Sequence, residues 1–340
     1  MTRHQRNDTQ RITLFLVEDF THLAFSCAVE PFRIANLLSG RTLYRWQLAS
    51  EDGHQARASN GIVTLVDRGM EPLAPGEMLF ILSGIHVERH ISPALKRFIR
   101  YERSRGTRIG ALCSGALVLA EAGLMAGEPA AIHWAFHDGF VESFPDIHLR
   151  RSVFVADTRH PTASGGTATA DLMLHLIAAD HGNDLALAVA DQMVYNAVRD
   201  GTGEQRLSVE ARHGIRNAHV VEAIRMMGER LDDPPSPSEI ATARGISMRQ
   251  LERLFERHVK CSPKKYATDM RLEKARNLLL QTESSVTDIA LACGFGSSSN
   301  FSRVYRARYG VTPTMARAQQ RFGPSPVFAT DEFALQSVQH

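Results

Sequence analysis

The residues best placed to do chemistry lie in IGALCSGALVLAEAGLM, where an apolar strand runs into Cys113 and a helix leaves at once through Ser114, Gly115 and Ala116. Such a small-residue turn projects a side chain at the carboxyl edge of a sheet, beside a helix N-terminus that favours thiolate. Downstream, AAIHW supplies His133 and Trp134. A thiol and an imidazole permit nucleophilic or redox chemistry. They equally permit a non-catalytic pocket wall, or plain packing, since Cys is among the most buried residue types. A second set has another character. Residues 236–259, SPSEIATARGISMRQLERLFERHV, and 286–309, VTDIALACGFGSSSNFSRVYRARY, each read as helix, glycine turn and second helix, with arginines on the second helix. That plan suits contact with a polyanion.

The elements that must position the first set alternate. Strands are expected at 12–17, 77–82, 107–112 and 152–157, with helices at 22–39, 92–105, 114–123, 134–143, 167–181 and 184–198. Alternation of this kind predicts a doubly wound, mostly parallel sheet over 12–198. Residues 199–216 are polar and aperiodic and read as a linker. From 217 to 321 every apolar pattern has helical period, which predicts an all-α domain. Ser236 and Ser247 cap the helices of the first helix-turn-helix unit, and Gly245 and Gly294 sit where a left-handed residue is useful. A helix over 263–281, roughly 27 Å long at 1.5 Å per residue, joins the two units. The tail 322–340 is expected to be loose.

Composition agrees with two domains, because 340 residues with 44% apolar content exceed one ordinary core. The net charge of +2 hides an asymmetry: residues 217–321 hold 17 Lys/Arg against 11 Asp/Glu, and residues 1–216 hold 22 against 24. Cys27, Cys113, Cys261 and Cys293 form no CxxC pair, so neither a zinc site nor a disulfide framework is expected, and a reducing cytoplasm fits. No apolar run reaches membrane-spanning length.

GISMRQLERLF, KKYATDMRLEKARNLLL and ALACGFGSSSNFSRVYRARYGVTP resemble the AraC/XylS family of regulators across its DNA-binding domain. The resemblance implies base-edge contacts from Arg249, Gln250 and Arg253 in the first unit, and from Ser298, Ser299, Asn300 and Arg303 in the second. Arginine donates bidentately to guanine and asparagine pairs with adenine, while the serines suit phosphate equally well. The Cys113 elbow, His133, Ser83-Gly84 and SGGTATADLMLHLI resemble the DJ/PfpI branch of the class I glutamine amidotransferase-like fold. That branch's enzymes carry a glutamate early in the first helix to hydrogen-bond the Cys. This chain has THLAFS there, with Ala24 near that position. The two domains together resemble the GlxA-type regulators, which include activators of betaine, carnitine and arginine catabolism. DQMVYNAVRDGTGEQRLS and HWAFHDGFVESFPDI look closest to the betaine and carnitine members.

The reading is therefore a DNA-binding transcription activator, not an enzyme, without cofactor or metal. A small metabolite is expected at the carboxyl edge of the sheet among Glu30, Ser83, Gly84, Cys113, Ser114, His133, Trp134 and Thr167. Helix amides at 114 and 167 offer a carboxylate site, Trp134 a π-face for a quaternary ammonium, and Glu30 a counter-charge. Trp134 as a core aromatic, His133 in a structural hydrogen bond and Glu30 paired with Arg33 stay open as alternatives. Operator DNA, RNA polymerase and a second copy joined through the N-terminal domain are the expected partners. The competing reading is a Cys113–His133 hydrolase or redox sensor tethered to DNA, which requires a carboxylate within reach of Cys113.

Overall fold

A computed structural model describes residues 9–156, 158–205, 215 and 217–322. The chain forms two compact units. The first comprises residues up to Trp134 and Phe144–Gly203; the second comprises Ala135–Ser143 and Glu204–Arg321.

The first unit is built on strands β1 (Gln10–Leu16), β2 (Tyr44–Ala49), β5 (Met78–Leu82), β6 (Arg108–Leu112), β9 (Phe154–Val155) and β10 (Thr162–Ala163), in the order β2-β1-β5-β6-β10-β9. All pairings are parallel except β9 with β10. Burial is nearly continuous along ITLFL and MLFIL, as a parallel sheet covered on both faces requires. Helices α1 (His22–Ser39), α5 (Ala168–His181) and α6 (Asn183–Gln192) pack together, while α2 (Pro93–Ser104) packs with α3 (Gly115–Glu121). A side hairpin, β3 (Gln55–Arg57) with β4 (Val63–Leu65), and a short pair, β7 (Pro129–Ala130) with β8 (His148–Leu149), complete the strands.

Several expected boundaries move. The helix expected over 184–198 ends at Gln192, because Val194 takes φ 55° and turns the chain so that Tyr195 and Arg199 reach Asp171 on α5. Arg199–Gly203, expected in the linker, belong to the first unit, where Gly203 accepts a 2.8 Å bond from Val153 N–H. Of that linker, 206–214 and 216 lie outside the described residues, as does the tail after Phe322. The strand expected at 152–157 is only Phe154–Val155, and Asp157 is likewise not described. The helix expected over 134–143 is a 3-10 turn, Trp134–Phe136, followed by α4 (His137–Ser143). Residues 135–143 group with the second unit, where Gln281 Nε2 donates to Ala135 O at 2.6 Å. Gly139 permits that approach, since a Cβ there would lie 2.9 Å from Gln281 Oε1.

The second unit contains α7 (Ala218–Glu229), α8 (Pro237–Ala243), α9 (Met248–Val259), α10 (Pro263–Gln281), α11 (Val286–Ala292), α12 (Ser298–Tyr309) and α13 (Pro313–Phe322). Serine caps five of them: Ser236, Ser247, Ser262, Ser285 and Ser297 each accept from the N–H three residues on. Two cores result. Ile240, Leu251 and Phe255 lie in the first, and Leu278, Ile289, Phe301 and Tyr305 in the second. Within this second unit the two helix-turn-helix halves touch: a Cβ on Gly294 would lie 1.9 Å from Asp232 O, so this turn requires glycine for space as well as for its φ of +71°. Arg271 on α10 donates to the carbonyls of Cys293 and Gly294 and stacks 4.2 Å from the Phe295 ring.

Candidate nucleic-acid interface and sensor site

Helix α9 buries Leu251 and Phe255 and exposes Arg249, Gln250 and Arg253 on other faces. Arg249, Arg253 and Arg257 follow each other at one-turn spacing, and with Lys260 and Ser262 they line a shallow concavity that Glu252 and Glu256 share. Sequence reasoning did not single out Arg257 and Lys260, although the i, i+4 spacing from Arg253 was the available signal. On α12, Ser299, Asn300 and Arg303 are exposed and Ser298 is half-buried, opposite the buried Phe301 and Tyr305. Arg303 Nη2 donates to Asn300 Oδ1 at 2.9 Å, so the two side chains already share one surface. The seven expected contact residues thus lie on the second helices of the two units, with their cores behind them.

In the first unit the elbow is closed and densely bonded. Cys113 sits at φ 61°, its N–H donates to Ala163 O at 2.9 Å, and its carbonyl accepts from His133 N–H at 3.3 Å. The Sγ lies 3.3 Å from Thr21 Oγ1. Thr21, the residue before α1, thus occupies the place where a carboxylate would be sought. Sequence reasoning missed it, because the residues between Thr21 and Cys113 hide the contact. Gly165 covers the thiol so closely that a Cβ would fall 2.7 Å from Cys113 Cβ. Burial pushes the Cys113 thiol pKa up, opposed by the Thr21 hydrogen bond and the Ser114 N–H. The thiol is held protonated, against the thiolate expectation, since desolvation outweighs the helix terminus.

Ser83, Gly84 and Ser114 converge beside it: the Ser83 and Ser114 hydroxyls are 2.8 Å apart and Ser114 Oγ donates to Gly84 O at 2.5 Å. All three are buried, and their polar atoms are largely used on one another. His133 and Trp134 are half-buried with ring centroids 5.3 Å apart. Thr167 is exposed and its hydroxyl accepts from Arg199 Nη2 at 2.8 Å. Glu30 is not brought to the elbow. It lies eight residues along α1 from His22, about 12 Å, and pairs with Arg33 at 2.6 Å on a half-exposed face.

The DJ-1/PfpI family profile matches residues 10–179, and a Helix-turn-helix domain profile matches residues 240–319. The HTH-type transcriptional regulator CdhR of Pseudomonas aeruginosa is 41% identical over 310 residues, covering 91% of this chain and 92% of that protein. GbdR of the same species, also an HTH-type transcriptional regulator, is 36% identical, covering 94% and 87%. GlxA of Rhizobium meliloti is 32% identical, covering 91% and 96%. The chain belongs to the GlxA-type transcriptional regulators. This GlxA-type protein joins a DJ-1/PfpI domain to an AraC-type DNA-binding domain, and it acts as a transcription regulator. Among its described residues, no helix is long and apolar enough to cross a membrane, and no group of three or more His, Cys, Asp or Glu could hold a metal ion.

Proposed function

We propose that this regulator is a cytoplasmic activator of a catabolic operon that answers to a small zwitterionic metabolite of the betaine, carnitine or amino-acid type. The observation that carries the reading is the pair of recognition helices, each presenting Arg, with Gln or Asn beside it, opposite a buried core. Arg249, Gln250 and Arg253 read one half-site; Ser298, Ser299, Asn300 and Arg303 read the next. Metabolite binds without turnover at the elbow mouth formed by His133, Trp134 and Thr167, over the floor of Ser83, Gly84, Cys113 and Ser114. The raised thiol pKa and the Thr21 partner support a non-enzymatic role for Cys113. Glu30, tied to Arg33, drops out of the ligand set. Two copies joined through the first unit present their DNA-binding units to the operator and to RNA polymerase, and ligand shifts that presentation through differential affinity for the two states.

The test is anisotropy titration of the full chain against its own upstream promoter DNA and a scrambled duplex, over a range of salt. Arg253→Ala is expected to cost about 1–3 kcal/mol on the promoter and much less on the scrambled duplex. Equal losses on both duplexes would make Arg253 a phosphate contact, and unchanged binding would remove α9 from the interface.

A further inference from the structure

The strand order places the topological switch point away from Cys113. From β1 the chain crosses through α1 to β2 on one side, and from β5 it crosses through α2 to β6 on the other. Open α/β sheets hold ligands in the crevice outside the carboxyl ends of the two strands where the winding reverses. Here that crevice lies between the ends of β1 and β5, one strand over from the elbow. A cleft of about 250 Å³ occupies it, lined by the exit of β1, the turn after β2, and the crossover from β5 into α2.

Its charged lining has both signs. Arg89 is exposed and forms no ion pair among the described residues. His90 is held by Asp19, Nε2 to Oδ2 at 3.2 Å, and Asp19 itself takes φ 62°. A non-glycine residue in that conformation stores strain that concentrates at ligand sites, and His86, four residues past β5, shares it with φ 57°. Ser92 caps α2 at the cleft wall, accepting from Leu95 N–H at 2.9 Å. On the acidic side, Asp52 Oδ1 accepts from Ser50 Oγ and from the N–H groups of His54 and Gln55, which ties that carboxylate into its own turn. Glu18 accepts Arg57 N–H through one oxygen only, at 3.1 Å, and Glu51 is exposed. The one lining aromatic, Phe15, is 1% exposed, so the cleft offers no π-face to a quaternary ammonium.

We propose that this cleft is a second small-molecule site and that it takes a free amino acid, with the carboxylate against Arg89 and His90 and an N–H-bearing cation against Glu18 and Glu51. A methylated nitrogen lacks the donors that the two glutamates require, and the volume suits a ligand of amino-acid size. The assignment rests on the sensor reading of this domain, but it names other residues and another cation from the elbow site.

The experiment is a thermal-shift titration of the full chain with glycine, L-lysine, L-arginine and glycine betaine, followed by calorimetry of the tightest binder. At least one amino acid raises the melting midpoint, Arg89→Ala weakens its binding about tenfold or more, Glu51→Gln weakens it less, and Trp134→Ala leaves it unchanged. Glycine betaine gives no Arg89-dependent shift. The proposal is overturned if no amino acid shifts the midpoint, if the shift survives Arg89→Ala, if Trp134→Ala abolishes it, or if glycine betaine binds through Arg89. A Trp134-dependent betaine shift with no shift from any amino acid would sink the cleft and leave the sensor reading standing. Amino-acid binding at the cleft without effect on promoter affinity would do the reverse.

Discussion

Replacing Arg199 with alanine tests the packing that closes the first unit. Asp171 on α5 has a fully buried side chain and accepts from Tyr195 Oη at 3.0 Å, Arg199 N–H at 2.9 Å, Arg199 Nε at 2.9 Å and Arg199 Nη2 at 2.7 Å. Stripping one partner from a buried ion pair costs about 3–5 kcal/mol when the other charge is left bare. Alanine keeps the main-chain donor and Tyr195 keeps its hydroxyl, so the expected loss falls to about 2–3 kcal/mol. Both tryptophans, Trp46 and Trp134, belong to the first unit, and Trp46 lies well inside it on β2, so their fluorescence during urea unfolding reports on that unit. The midpoint should fall by about 1 M at ordinary m-values for a domain of this size. Adding Asp171→Asn should restore part of the loss, because the stranded charge is gone. A midpoint within about 0.2 M of wild type would show that the pair is worth no more than a solvated surface pair, and would refute the reasoning.

Three further outcomes are expected. Gly165→Ala forces both a φ of +92° and a Cβ 2.7 Å from Cys113 Cβ, so the same urea assay should show a loss of at least about 2 kcal/mol; a neutral result would mean that the 164–167 loop can lift off the thiol. In the folded chain iodoacetamide at neutral pH should label Cys113 more slowly than the half-buried Cys27 and Cys261, and Thr21→Val should slow it further by removing a bond that holds the pKa down; mass spectrometry that found Cys113 labelled first would restore the reactive-thiol reading. Burial pushes the Glu88 carboxyl up to about 7. The folded state then binds the extra proton, so this group's contribution is full below the ordinary glutamate value and is lost as pH rises through about 7. Glu88→Gln should flatten that fall in the urea midpoint, and an unchanged pH profile would place the carboxyl in solvent.

The second unit was legible almost residue by residue. The caps Ser236 and Ser247, the glycines at 245 and 294, and α10 over Pro263–Gln281 all stand where the pattern put them. Edge strand β2 escaped notice because YRWQLA faces solvent along one side and carries no continuous apolar run. The elbow was legible as a strand-turn-helix, but its closure was not. From its neighbours Cys113 could be a nucleophile, a redox thiol, a pocket wall or a packed side chain, and only the packing of Gly165 and Thr21 on it shows a buried thiol whose pKa burial raises.

Taken alone, the sequence determined the two-domain plan, the doubled helix-turn-helix and the faces of its recognition helices, because caps, glycine turns and 3.6-residue periodicity act within a few residues of chain. Tertiary structure alone decided the strand order, and with it the switch-point cleft between β1 and β5. It also decided that Thr21 meets Cys113, that Glu30 pairs with Arg33, and that Arg199 anchors to Asp171 instead of floating in a linker. Such pairings across the chain depend on which surfaces bury one another, and local residue patterns do not encode that choice.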